Sequence, residues 1–142
     1  MIVLDTTILS YASGSEHGYQ VPCRTLVDAI GAGQVRASTT VEVIQEFAHL
    51  RARRRARAEA AGLASRYVSL LSPLLPVGSD DLSNGLDLWR RHERLGSFDA
   101  VLAATCMRLG ATLVSADKAF ARVRGLDFVV PDQKGVGRLI AG

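Results

Sequence analysis

Asp5, Glu46, Asp99 and Asp117 each fall where a predicted strand hands over to a helix, or just inside that helix. If the strands run parallel, their ends collect at one edge of the sheet, which is where open α/β folds place their ligands. Four carboxylates gathered there repel one another unless a cation holds them. An all-oxygen set of this kind suits a hard divalent cation, and the chemistry it points to is metal-dependent cleavage of phosphodiesters.

Each acid also has a local explanation, because Asp and Glu near a helix N-terminus are favoured by capping and by the helix dipole. Asp99 follows Ser97 by two residues, Asp117 precedes a helix predicted to begin at Lys118, and Asp5 ends the first strand. Glu46 stands apart. Thr39-x-x-Glu42 reads as a capping box that accounts for Glu42 and leaves Glu46 one turn further on. Glu42 shares its helix face at the i, i+4 spacing and is a reserve candidate. Asp80 and Asp81 read as ordinary first-turn acids of their own helix, although their place after a predicted strand puts them on the same sheet edge. Only Lys118, beside Asp117, is placed to neutralise the group.

The elements that must position these acids follow from periodicity. Met1–Leu4 is a short branched apolar run that predicts a strand buried on both faces. Residues 35–38, 74–77, 112–115 and 128–130 predict further strands. Helices are expected over 22–30, 39–57, 57–71, 79–94 and 98–109, the last ended by Gly110 in the left-handed cap position, with a short one over 117–122. Strands alternating with helices imply right-handed crossovers. The expectation is an α/β protein: a three-layer α/β/α fold with a mostly parallel central sheet, one domain over residues 1–142.

The bulk numbers fit that size. The 142 residues are 48% hydrophobic and 22% charged, with a mean hydropathy of +0.16. The apolar stretch 70–77 is broken by Ser72, Pro73 and Pro76 and cannot span a bilayer. Leu4 meets Asp5 at once, with no basic region before it, so no export signal is read and a cytoplasmic location is expected. Cys23 and Cys106 are far apart and suggest neither a zinc site nor a disulfide.

A net charge of +3 and a pI near 9.2 make a polyanionic partner plausible. Arg51, Arg53, Arg54, Arg55 and Arg57 concentrate the positive charge and are candidates for phosphate contacts, with a solvated helix end as the alternative. Aromatic residues are 6% of the chain, which argues against extensive base stacking. His17, His49 and His92 have no ligand spacing, and surface or packing roles are expected for them.

Four ordered segments carry a resemblance: Ile2-Val3-Leu4-Asp5-Thr6-Thr7, Ser38-Thr39-Thr40-Val41-Glu42-Val43-Ile44-Gln45-Glu46-Phe47, Ser97-Phe98-Asp99-Ala100 with Ala103-Ala104, and Leu113-Val114-Ser115-Ala116-Asp117-Lys118-Ala119-Phe120. From end to end the chain resembles a PIN-domain ribonuclease, of the kind that forms the toxin subunit of a VapBC-type toxin–antitoxin module. The resemblance implies that Asp5, Glu46, Asp99 and Asp117 ring a magnesium or manganese site, with Asp5 and Asp99 as direct ligands and Glu46 and Asp117 holding waters or a second ion. Thr6, Thr7 and Ser115 would support the rim. Thr7 departs from the Asn or Ser frequent in the family, a conservative change. Cleavage would leave a 5′-phosphate and a 3′-hydroxyl.

The same resemblance implies a VapB-type antitoxin clasped by the helices between Pro22 and Leu71, whose Leu63, Tyr67, Val68 and Leu71 are otherwise core residues, and a homodimer formed at the opposite end of the sheet. Two rivals remain. An aspartyl phosphohydrolase needs a second Asp two residues after the first, where this chain has Thr7. A non-catalytic module would keep the fold and bind RNA or a partner without turnover.

Overall fold

Ile2, Val3 and Leu4 form strand β1 (Ile2–Leu4), and every residue of it is buried. The computed structural model describes residues 1–14 and 16–142. In it β1 pairs in parallel with β2 (Ala37–Ser38) on one side and with β3 (Thr112–Val114) on the other, and β3 pairs in parallel with β4 (Phe128–Val129). The order β2-β1-β3-β4 makes β1 and β3 the central strands. Val3, Leu4, Leu113 and Val114 are wholly buried, as strands covered by helices on both faces must be. The expected three-layer architecture and parallel sheet are what the chain adopts.

The helices are α1 (Thr6–Ser13), α2 (Gln20–Gly31), α3 (Val41–Arg51), α4 (Arg57–Leu71), α5 (Ser79–Arg91), α6 (Ser97–Leu109) and α7 (Gln133–Ala141), with a 3₁₀ turn at Lys118–Arg122. Gly110 ends α6 at φ 62°, the left-handed conformation that glycine tolerates without a Cβ clash. Tyr67 and Leu71 are buried in the core, and Phe47 meets the Tyr67 ring edge-on at 5.2 Å. Core packing therefore uses these residues of α4. The large exposed apolar side chains include Leu82, Leu86 and Trp89 of α5 and Phe98 of α6.

Four local expectations are corrected. The helix predicted over 39–57 stops at Arg51, and the chain turns before α4 begins. Arg51 explains the reversal, since its guanidinium reaches across the turn to Glu59 at 2.8 and 3.2 Å and back to the Ser13 carbonyl at 3.0 Å. The strand predicted over 74–77 is reduced to a single parallel bridge between Thr40 and Leu75, because Pro73 and Pro76 bring no N–H to a ladder.

The predicted capping box gives way to a one-sided cap one residue further on. Thr40 is the N-cap of α3 and accepts from the Val43 N–H at 3.2 Å, while the Thr39 hydroxyl donates to the Leu4 carbonyl at 2.7 Å and ties α3 to β1. Finally, α1 and α7 were not anticipated. In α7 the N-cap Asp132 accepts from the Gly135 N–H at 2.7 Å, and a Cβ on Gly135 would lie 2.1 Å from the Val130 carbonyl oxygen. The glycine that lowers helix propensity is thus the one that lets α7 sit close to the strand end.

Candidate metal centre and cleft

The ends of β1 and β3 deliver Asp5 and Ser115 side by side. Asp5 is 5% exposed and forms the floor of a cleft. Its Oδ2 accepts from Ser115 Oγ and from Thr7 Oγ1 at 3.2 Å. Those hydroxyls lie 3.4 Å apart and are themselves held: the Ala116 N–H donates to Thr7 Oγ1 and the Asp117 N–H to Ser115 Oγ, each at 3.0 Å. Asp5 sits at the N-cap position of α1 without making a side-chain cap bond. No hydrogen bond of normal geometry reaches its Oδ1 among the described residues, although the Thr6 N–H lies close enough to the carboxyl to favour its charge.

The other acids stand at graded depth around it. Asp99, in the first turn of α6, is half-buried and accepts no hydrogen bond among the described residues. Glu46, one turn beyond the start of α3, and Asp117, after β3, are exposed at the rim. Asp117 Oδ1 accepts from the Ala119 N–H at 2.9 Å, so this acid does cap the 3₁₀ turn while also facing the cleft. Capping thus accounts for one of the four.

Burial raises the Asp5 carboxyl above its ordinary pKa, against the pull of the Ser115 hydroxyl, the Thr6 N–H and the Thr7 hydroxyl. Burial also raises Asp99, and repulsion from Asp5, Asp117 and Glu46 adds to it, reaching about 7. Glu46 is raised by burial and then by Asp5. None of the four takes part in an ion pair among the described residues; Lys118 does not pair with Asp117. Like charges without a counter-ion are what a cation would relieve.

Thr6 points to the same conclusion. Its Oγ1 is buried and has no hydrogen-bond partner among the described residues. It lies beside Glu46 and favours the charged carboxylate without completing a bond of normal geometry. An orphaned hydroxyl, an Asp5 Oδ1 that neither side-chain hydroxyl takes and an unpartnered Asp99 make an oxygen donor set that fits a hard divalent ion. Among the described residues no three Asp, Glu, His or Cys side chains are already closed around one point. That suits an ion that keeps several waters and takes only one or two carboxylates directly.

Two cleft arms leave the acids. One, of about 640 Å³, runs past Asp5, Asp99 and Asp117 to Tyr11, His17, Arg53 and Arg54. The other, of about 500 Å³, is mostly apolar and passes Val43, Leu82, Leu86 and Phe98. Glu42 lies on the wall of the second arm and remains a reserve acid.

The arginines divide. Arg51 lines the first arm but is committed to Glu59 and Ser13, whereas Arg53 and Arg54 line it and are exposed. Arg55 and Arg57 are exposed outside its lining. Asp81, read from sequence as an ordinary first-turn acid on the same sheet edge, is only 1% exposed. It pairs with Arg108 at 2.7 and 2.9 Å, accepts from the Gly78 N–H, and is held below the usual carboxylate range by that arginine. Arg108 stands in the last turn of α6 and Asp99 in its first, so Asp81 is removed from the centre.

The aromatic residues of the first arm were missed by sequence. His17 and Tyr11 are six residues apart with no helical or ligand period, and it is the turn between α1 and α2 that brings them together. Cys23 and Cys106 are free and buried, their thiols pushed up to about 12 by burial. No helix among the described residues is long and apolar enough to cross a membrane.

Comparison with known proteins bears on the family and the fold. The sequence model of the PIN domain matches residues 2–126. The chain is similar to ribonuclease VapC7 of Mycobacterium tuberculosis, 47% identical over 99% of this chain and 98% of the relative. It shares its fold with a chain of the crystal structure of VapBC2 from Rickettsia felis bound to a promoter DNA fragment, at a TM-score of 0.69 and 18% identity, covering 92% of this chain and 98% of that one. A toxin–antitoxin complex from Klebsiella pneumoniae gives 0.65 and 19%, covering 92% and 98%.

Proposed function

The chain belongs to the PIN-domain family, and from that premise we propose that residues 1–142 act as a metal-dependent endoribonuclease, the toxin of a toxin–antitoxin pair. The observation that carries the reading is the convergence of Asp5, Glu46, Asp99 and Asp117 on one cleft without a paired cation.

Asp5 and Asp99 would be the direct ligands of a magnesium or manganese ion in this reading, because among the described residues Asp99 accepts no hydrogen bond and the two side-chain hydroxyls on Asp5 both take Oδ2. Glu46 and Asp117 at the rim hold waters or a second ion. Such an ion supplies a cationic centre that offsets charge on the phosphate oxygens and lowers the pKa of the attacking water.

The protein groups do the positioning. Ser115 and Thr7 fix the Asp5 carboxylate through one oxygen and leave the other for the ion. Asp99, held near the midpoint of its titration at pH 7 by burial and the neighbouring acids, would be shifted to its charged form by a bound cation. Arg53 and Arg54 hold the RNA backbone, and in-line attack leaves a 5′-phosphate and a 3′-hydroxyl. A VapB-type antitoxin and a second copy of the chain are the proposed protein partners, and the cytoplasm the proposed location.

The test is cleavage of labelled RNA by antitoxin-free protein in magnesium, manganese or EDTA. Asp5→Asn and Asp99→Asn should each lower the rate by more than the ~10–100-fold typical of an outer-shell change, with folding kept. Full activity in either variant overturns the assignment of that acid. RNA that is bound but uncut by wild-type protein would favour a binding module.

A further inference from the structure

We propose that Tyr11 and His17 form a stacking platform for an unpaired RNA base flanking the scissile phosphate. The proposal rests on the ribonuclease reading for the nature of its ligand, and on the following geometry for its place.

The His17 ring lies on Tyr11 with centroids 4.1 Å apart and planes 19° from parallel. Tyr19 closes the group, edge-on to Tyr11 at 5.8 Å and tilted against His17 at 5.4 Å. The Tyr19 N–H donates to His17 Nδ1 at 3.1 Å, which fixes the ring and leaves the proton of a neutral imidazole on Nε2. His17 is exposed nonetheless. An aromatic ring held by two rings and a backbone N–H, yet open to solvent, adds little to a core. It is preorganised to receive something flat, and the ordering cost of that contact is already met.

Its position along α1 says what the flat group is. Asp5 stands at the start of that helix, and Tyr11 lies six residues on, roughly 9 Å along the axis. The helix end at Ser13 is tied to Arg51, after which Arg53 and Arg54 follow on the cleft wall. An acidic metal centre, an aromatic face and a cationic turn in that order match the alternation of phosphate, base and phosphate along a single strand. Stacking tolerates any base, since each has a π face, so the platform would register the strand without choosing its sequence.

The experiment compares the binding of two fluorescent oligoribonucleotides of equal length in EDTA, one of ordinary sequence and one with every base removed but all phosphates kept. His17→Ala should weaken the ordinary oligonucleotide about tenfold, within the range that base–aromatic contacts span, and leave the abasic one unchanged. His17→Phe, which keeps a flat ring, should bind both as wild type does. The proposal is overturned if His17→Ala binds the ordinary strand like wild type, if it loses equally on both strands as a phosphate contact would, or if His17→Phe is as weak as His17→Ala. Wild-type protein that binds neither strand overturns it as well. Wild-type protein that binds RNA but cuts none with magnesium or manganese removes the ribonuclease reading, while the binding comparison still decides the platform.

Discussion

Asp99 shows how one carboxyl acquires its chemistry from neighbours. The helix dipole at the start of α6 favours its charge, yet burial and three nearby acids outweigh that and hold the pKa near 7. The consequence for stability has a definite sign. A carboxyl whose pKa is raised on folding binds more protons in the native state than in the unfolded one between its ordinary value of 3.8 and about 7. Stability therefore falls as pH rises through that window. In EDTA the protein should melt at a higher temperature at pH 5 than at pH 8. Asp5 and Glu46 are raised as well and add to the fall, so Asp99→Asn should remove part of the difference and raise the melting temperature at pH 8, and added magnesium should narrow it for wild type. Thermal melts across pH with and without chelator read this directly, and a wild-type melting temperature that does not fall between pH 5 and 8 would mean the acids are less crowded than their convergence on one cleft implies. Asp81 works in the opposite sense, being held low by Arg108, but its contribution is lost only in more acidic solution, outside this window.

Helices α5 and α6 are joined by a contact that sequence does not announce. A Cβ on Gly85 would come within 2.6–2.9 Å of the Val101 backbone and side chain, so the glycine is what lets the two axes approach. Gly62 in α4 is exposed and meets nothing within 4 Å. The two glycines should therefore answer oppositely to alanine. Gly85→Ala should lose about 1–3 kcal/mol by overpacking, and Gly62→Ala should gain about 0.5–1 kcal/mol from helix propensity. Urea midpoints at constant m-value distinguish them. Before the structure, the two behave alike as mid-helix glycines. That is the general limit on what was legible. Strand ends carrying Asp5 and Asp117, and helix starts carrying Glu46 and Asp99, are local patterns and were readable with the parallel order of the sheet. The break after Arg51 depends on Glu59 and Ser13 reaching it from other elements, α1 is a short run of strand-forming residues, and α7 holds two glycines, so no local signal marks them. Asp81 reads as a capping acid until Arg108 arrives from 27 residues away.

The whole molecule carries +3, but that figure averages over a cleft with acids at one end and arginines at the other. Without a cation the acids repel a phosphate backbone, so affinity for RNA has to come from the basic turn and any stacking contact. Of the five arginines there, geometry leaves two for the backbone: Arg51 is spent on Glu59 and Ser13, and Arg55 and Arg57 lie off the cleft wall. The salt dependence of binding counts such contacts. For single strands each neutralised phosphate adds about 0.7 to the slope of log K against log salt. Arg53→Ala combined with Arg54→Ala should therefore reduce that slope by about 1.4, while Arg55→Ala leaves it unchanged and Arg51→Ala acts on thermal stability instead. Anisotropy titrations of a labelled oligoribonucleotide over a range of potassium chloride, in EDTA, give all four slopes. A reduction for Arg55→Ala half as large as that of the double variant would mean that the turn attracts RNA as a diffuse charge, and the cleft wall would then not define the path of the strand.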